Sequence, residues 1–445
     1  MEELRKKGNK CQICTGCGAC LGEKKGLQVL MGSAESSGNG TEKWKKFVSE
    51  SLDGRKTWYA CIDIGTTTLA MELYNDQGEV VTNLGLLNPQ IACGADVISR
   101  IVTASTQEGL ARLQSLIRRE LAKGLAEFHR LLPKGYTLRV WAAGNTVMSY
   151  LLMGYDPREL GEAPFTQSHC KEVEILKIGQ DLVHLLPCLS AYIGGDLVAG
   201  YLWTESLLEN KRQSPENQQK KMDEFSVEYQ EDDAVSISYP YLLLDLGTNA
   251  EMLLVTEDKI YATSAAAGTA FEGGSKDTFG ADFIHLLAEC LREGYVDLDG
   301  LLKEPFFESG ITVGGRVLTQ ERIRELQLAK AAVATGIEVL LQEVDLPVQH
   351  IIISGGFGYF LKVEDMVSIG MLPAAFAERT ISGGNTSLQG LLQMNAIQNA
   401  SPMVSWEDGE QTSDRMVKKE VQVISLPDRE DFQERYVNHM RLESF

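Results

Sequence analysis

The sequence predicts an α/β protein of two related lobes, because a buried strand that ends in aspartate and turns through Gly-Thr occurs in it twice. In the first copy, Trp58 to Ile62 runs into Asp63-Ile64-Gly65-Thr66-Thr67-Thr68; in the second, Tyr241 to Leu244 runs into Asp245-Leu246-Gly247-Thr248-Asn249. The segments after the two turns also match: residues 69–74 and 80–87 read as a hairpin closed by a polar turn, as do residues 250–255 and 260–265. A further apolar strand, Ile351-Ile352-Ile353, ends in the glycine-rich turn Ser354-Gly355-Gly356-Phe357-Gly358.

These signals divide the chain. Residues 1–22 hold a cysteine cluster, and residues 23–55, polar and rich in Gly and Ser, read as a linker. Residues 56–203 form the expected first lobe, in which Leu110, Leu113, Ile117, Leu121, Leu125 and Phe128 recur at helical spacing. The polar tract 204–239 lacks the periodicity to bury a face and reads as a linker or insertion. Residues 240–400 form the second lobe, and 401–445 a tail whose last strand and helix dock on the body.

Composition narrows the function. A chain of 445 residues with 44% hydrophobic content can bury two or three cores of ordinary size. A formal charge of −20 leaves no basic face evident, which weighs against nucleic acid and anionic membrane as partners. No apolar run approaches the ~20 residues of a membrane span. Residues 1–10 are charged and lack the apolar centre of a secretory signal, so a soluble cytoplasmic protein is expected. Cys61, Cys93, Cys170, Cys188 and Cys290 are scattered, as free thiols of a reducing compartment are.

The repeated turn has a chemical use. Glycines such as Gly65 and Gly247 let backbone approach an anion, successive N–H groups point into the bend, and the side chains of Thr66, Thr67, Thr68, Thr248 and Asn249 add donors. Asp63 or Asp245, at a strand end facing the same space, can hold Mg²⁺ directly or through its waters. One such turn is an ordinary β-turn; two in matching contexts read as paired phosphate loops. The turn 354–358 alone is a strand-to-helix connection. After two phosphate loops it resembles the adenosine turn of the ASKHA (actin, hexokinase, heat-shock chaperone) superfamily, with Gly355, Gly356, Phe357 and Gly358 against the nucleoside. The resemblance implies two ribonuclease-H-like lobes of actin/hexokinase type around an ATP cleft.

Further strings resemble one branch, the ATP-dependent reductive activators of corrinoid proteins. They are Leu87-Asn88-Pro89-Gln90 with residues 94–101, Gly144-Asn145-Thr146-Val147-Met148 with Ala163-Pro164-Phe165, residues 192–199, residues 245–251 and residues 264–273, the last containing Gly268 and Glu272. The likeness covers about residues 60–395. It implies ATP-driven reduction of a corrinoid methyltransfer protein from Co(II) to Co(I), with a corrinoid protein and a low-potential electron donor as partners; a homodimer stays open. Two departures stand out. Residues 1–55 lack the C-x4-C-x2-C pattern of the plant-type [2Fe–2S] domain that such activators carry ahead of the body, and Lys276 to Phe283 replaces the family's longer glycine-rich turn.

Cys11, Cys14, Cys17 and Cys20 stand at two-residue spacing, like the first ligands of a bacterial [4Fe–4S] ferredoxin, although Lys24 occupies the place of a following cysteine. A zinc knuckle and a redox-active thiol pair are the alternatives. Glu272 is a candidate contact to nucleotide or metal, or a loop glutamate. Asn145 caps a helix or lines the cleft, and Asp196 reads as a helix N-cap. The histidines show no metal-ligand spacing. Two other functions remain open: an activator of a 2-hydroxyacyl-CoA dehydratase, and an ATP-gated module that binds a corrinoid protein without reducing it.

Overall fold

The computed structural model describes residues 28–30, 57–75, 77–132, 135–212, 237–247, 249–268, 280–313, 315–355, 361–400, 419–443 and 445. The described chain divides into two units, one drawn from residues 1–236 and 386–416, the other from 237–385 and 417–445.

The first unit is built on a seven-stranded sheet of β1 (Gln28–Leu30), β2 (Thr57–Ile64), β3 (Thr68–Tyr74), β4 (Val80–Leu87), β5 (Thr137–Gly144), β6 (Glu174–Ile178) and β7 (Asp181–Leu185). Their order is β1-β4-β3-β2-β5-β7-β6. Strands β2, β3 and β4 form an antiparallel meander, while β5 lies parallel to β2 and β7 parallel to β5. Strand β1 falls within the stretch read as a linker and pairs with β4, Val29 opposite Leu84.

The second unit repeats the plan with β8 (Tyr241–Leu246), β9 (Ala250–Val255), β10 (Lys259–Ala265), the small ribbon β11 (Ile311–Val313) and β12 (Arg316–Leu318), β13 (His350–Ser354), β14 (Thr380–Gly384) and β15 (Glu420–Val423). Its main sheet runs β14-β13-β8-β9-β10-β15. Again the central strand is followed by an antiparallel meander on one side and has parallel strands on the other. The repeat is not exact. Ile64 pairs with Leu69, which leaves residues 65–68 in the first turn, whereas Leu246 pairs with Ala250 and leaves only 247–249 in the second.

Strand alternation explains the layers. Trp58, Ala60, Ile62 and Ile64 of β2 join Leu69, Met71 and Leu73 of β3 in one core. Helices of this unit include α1 (Val97–Ala104), α2 (Gln107–Leu131), α3 (Thr146–Met153) and α4 (Gly195–Arg212). Helix α2 fills that core with Leu113, Ile117, Leu121, Leu125 and Phe128, all expected from spacing; Leu110 packs at the margin.

In the second unit α5 (Gln320–Leu341) lies on β9 and β10 with Ile323, Leu326, Val333, Ile337 and Leu340 buried. The C-terminal segment is built into this unit: β15 runs parallel to β10, Leu442 is buried, Gln327 Nε2 donates to Met440 O at 2.8 Å, and Lys330 Nζ donates to Gly370 O and Arg441 O. Helix α6 (Thr386–Ala400) follows β14 in the chain, and the sequence places it with the second lobe. Packing places it with the first, against α4, β2 and β5.

The opposite face of the first sheet carries polar groups. Glu72 of β3 stands across from Cys61, accepts a hydrogen bond from Tyr74 Oη, and is buried. Burial, and less strongly the nearby charge of Asp63, pushes its carboxyl from 4.5 up to about 7 despite the Tyr74 bond. The folded state therefore binds this proton more tightly than the unfolded chain. The resulting stability is fully present below pH 4.5 and is lost as pH rises through about 7. At about 1.4 kcal/mol per unit, the loss approaches ~3 kcal/mol. Relative to wild type, Glu72→Gln is expected to gain about that much between pH 4.5 and 8 in urea unfolding of the nucleotide-free protein. A difference between the two proteins that stays flat with pH would contradict this account.

Candidate functional site

The first turn leaves β2 at Asp63, one residue before the strand ends, where β2 pairs Asp63 with Ala143 and Ile64 with Gly144 of β5. Its three successive carbonyls are each held by a donor from Asn88 or Arg100. Asn88 Nδ2 donates to Gly65 O at 2.9 Å, Arg100 Nη2 to Thr66 O at 2.7 Å, and Asn88 N to Thr67 O at 2.9 Å. A carbonyl and the N–H that follows it share one peptide plane and point in opposite directions. The N–H groups of Thr66, Thr67 and Thr68 therefore face away from Asn88 and Arg100. Among the described residues, the N–H groups of Thr66 and Thr67 find no acceptor. A Cβ on Gly65 would lie 2.7 Å from Thr68 O, so the bend admits only glycine there.

Arg100 and Asn88 are themselves fixed. Arg100, fully buried on α1, also donates through Nε to Gly94 O at 2.9 Å and through Nη1 to Gln90 Oε1 at 3.3 Å. Gln90 Nε2 donates to Leu113 O at 3.0 Å, and Asn88 Oδ1 accepts from Gln90 N at 3.0 Å. The strings 87–90 and 94–101, read from sequence only as points of resemblance, thus form the brace behind the turn. Sequence reasoning gives Asn88, Gln90 and Arg100 no role of their own.

Asn145 is the helix cap, and it also touches the first turn. Its Oδ1 caps α3 by accepting from Met148 N at 2.9 Å, while Nδ2 donates to Thr66 Oγ1 at 3.0 Å. The positive end of α3 is thereby set against the turn. Asp196 lies in the first turn of α4, where Oδ1 accepts from Leu197 N at 2.9 Å.

The second turn is tighter and closes on itself, Gly247 N donating to Asn249 O at 2.9 Å. Asp245 stands opposite Ser354 of β13 and opposite Glu251 of β9. Ser354 Oγ donates to Asp245 Oδ2 at 3.0 Å. Burial still pushes the Asp245 carboxyl above its usual range, against the lowering effect of that bond. Gly355 holds φ +91°, and a Cβ there would meet Asp245 Oδ1 at 2.7 Å and Leu246 O at 2.7 Å. The glycine-rich turn therefore begins in direct contact with the second aspartate. A half-buried carboxylate whose charged form is disfavoured is one that a nearby cation would stabilise.

Gly268, also at positive φ, follows β10 and is exposed. Thr248, Glu272, Gly356, Phe357 and Gly358 lie outside the described residues, as do Cys11, Cys14, Cys17 and Cys20. Among the described residues no group of His, Cys, Asp and Glu forms a metal cage, and no helix is long and apolar enough to cross a membrane.

Comparison with known proteins agrees with the geometry. A family model described as the RACo middle region matches residues 59–207, and one described as the C-terminal domain of RACo, the ASKHA domain, matches residues 240–282 and 277–444. The two segments of the second match overlap at residues 277–282. The corrinoid activation enzyme RamQ of Eubacterium limosum is 26% identical over 401 residues, covering 74% of this chain and 62% of its own length. The chain thus spans less than two thirds of that relative. A solved reductive activator for corrinoid, iron-sulfur protein superposes with a TM-score of 0.69 at 24% identity, over 88% of this chain and 67% of its own, a likeness of fold. With both halves of the chain matched by RACo models, the protein belongs to the family of reductive activators of corrinoid proteins, within the ASKHA superfamily.

Proposed function

We propose that the protein is an ATP-hydrolysing reductive activator that returns a corrinoid methyltransfer protein from Co(II) to Co(I). The observation that carries this reading is that equivalent strand ends in two like-ordered sheets present Asp63 with an outward row of backbone N–H groups, and Asp245 in contact with the glycine-rich turn. The donor set fits a magnesium nucleotide. N–H groups of Thr66, Thr67 and Thr68 bind phosphate oxygens, with Thr248 and Asn249 serving likewise from the second turn. Asp63 and Asp245 would hold Mg²⁺, directly or through its waters. Glu272 and Gly268 are assigned to the same nucleotide, and Gly355 to Gly358 to its adenosine end.

Nucleotide is needed because each ~59 mV uphill in a one-electron transfer costs about 1.4 kcal/mol. Cobalt reduction to Co(I) lies below ordinary donors, so a conformational state must be biased by ligand binding. The electron comes from a low-potential donor and passes to the substrate cobalt. Cys11, Cys14, Cys17 and Cys20 are assigned to a [4Fe–4S] cluster on their spacing alone, and it would carry that electron.

Two outcomes test the reading. Asp63→Asn and Asp245→Asn are each expected to depress ATP hydrolysis and corrinoid activation by about 10²- to 10³-fold, and the double variant to be little worse than either. Because Asp245 is desolvated, its neutralisation is expected to leave the melting temperature of the nucleotide-free protein intact or raised. Near-normal turnover in both single variants, or melting losses that account for the rate losses, would remove the catalytic assignment. Anaerobic protein is expected to hold iron and sulfide that Cys14→Ser or Cys17→Ser removes without unfolding the body. Stoichiometric zinc without iron after anaerobic reconstitution would overturn that assignment.

A further inference from the structure

We infer that Arg100, with Asn88, is the positioning device of the first phosphate turn: it takes up the carbonyl side of the turn so that the opposite side is left as an anion-binding row of N–H groups. The assignment rests on the nucleotide reading proposed above and deepens it, because it names residues that touch no ligand yet set the affinity for one. A three-residue peptide segment with unsatisfied carbonyls could rotate any of its planes and would present alternating dipoles to a phosphate. Here each of the three carbonyls is held, by two side chains and one backbone N–H, at 2.9, 2.7 and 2.9 Å. The arginine is not there to line the site. It is fully buried behind the turn, on a helix whose own N-cap, Asp96, is closed by a reciprocal bond with Ser99.

The planar fork matters as well as the charge. Nε reaches Gly94 O, while Nη1 and Nη2 reach Gln90 Oε1 and Thr66 O in different directions. A lysine ammonium at the end of a flexible stem cannot reproduce these fixed vectors. A second arginine of the same unit supplies the control. Arg118 also binds carbonyls, Leu152 O at 2.9 Å and Met153 O at 3.3 Å, at the far end of α3. It closes a helix terminus, and among the described residues it makes no hydrogen bond to the turn.

Titration calorimetry of Mg-ATP with the full chain, beside melting of the nucleotide-free protein, decides the matter. Arg100→Lys is expected to weaken binding by at least about tenfold, the order of one lost charge-assisted hydrogen bond. Arg100→Met is expected to weaken it further, and neither loss should follow the change in melting temperature. Arg118→Lys is expected to lower melting and leave affinity unchanged. Should the Arg100 variants melt too early to titrate, Asn88→Ala carries the test, with a similar loss expected from freeing Gly65 O. Wild type that binds no Mg-ATP would overturn the nucleotide reading and this assignment together. Wild-type binding with unchanged affinity in Arg100→Lys or, where that variant melts early, in Asn88→Ala would overturn this assignment alone.

Discussion

A backbone turn can grip an anion only if its carbonyl oxygens are occupied elsewhere, because each peptide unit offers an acceptor on one side for every donor on the other. In the first unit that constraint shapes much of the local structure. The meander β2-β3-β4 delivers Asn88 to the back of the turn immediately after β4, and α1 delivers Arg100. Helix α2 then holds Gln90, which holds both. Helix α3 closes the front edge through Asn145. The apolar core under β2 therefore does more than stabilise a lobe. It supports a set of polar contacts whose vectors must be fixed to within a hydrogen-bond length.

The second unit meets the same requirement differently. Its shorter turn is closed by a bond from Gly247 N to Asn249 O. The distinctive group here is the aspartate: Asp245 is half-buried, flanked by Glu251 across the strand pair and by Ser354 and Gly355 on the other side. A desolvated carboxylate close to another acidic position is a poor resting state and a good cation ligand. The two turns are thus alike in sequence and different in local structure, the first with its carbonyls held by Asn88 and Arg100, the second set beside a half-buried aspartate.

The repeat is legible because Asp-x-Gly-Thr at the end of an apolar strand, succeeded by a hairpin, is a local pattern, and the sheet orders derive from it. The features that escape sequence reading are non-local. The one-residue difference between the turns depends on pairing register, Ile64 with Leu69 against Leu246 with Ala250, which turn composition does not specify. Asn88 and Arg100 lie 23 and 34 positions from the carbonyls they bind, and a single sequence carries no sign of that geometry. Chain continuity groups helix α6 with the wrong unit. Thr386, Ser387, Leu388, Leu391 and Met394 are buried around several of its faces, so no single apolar stripe indicates a partner. For Asn145 the sequence offers cap or cleft residue as alternatives, although one amide has enough donors and acceptors for both.

Electrostatics supplies the reason a brace of this kind would employ arginine and not another amide. The chain carries a formal charge of −20, a field that disfavours approach of a polyanionic nucleotide. Screening limits that repulsion to about 8 Å at physiological ionic strength, so it acts mainly at close range, where the turn must work. A cation exposed in the site would be hydrated and mobile, and would lose much of its effect to solvent. Arg100, buried immediately behind Thr66, is held where water screens it least, and its charge would act on an anion at the turn through the peptide unit whose carbonyl it binds. Polarisation of that unit makes the Thr67 N–H a stronger donor on the opposite side, as the N-terminus of α3 does from the flank. The positive potential is thus carried by the orientation of the backbone, and it persists in a protein whose net charge is strongly negative.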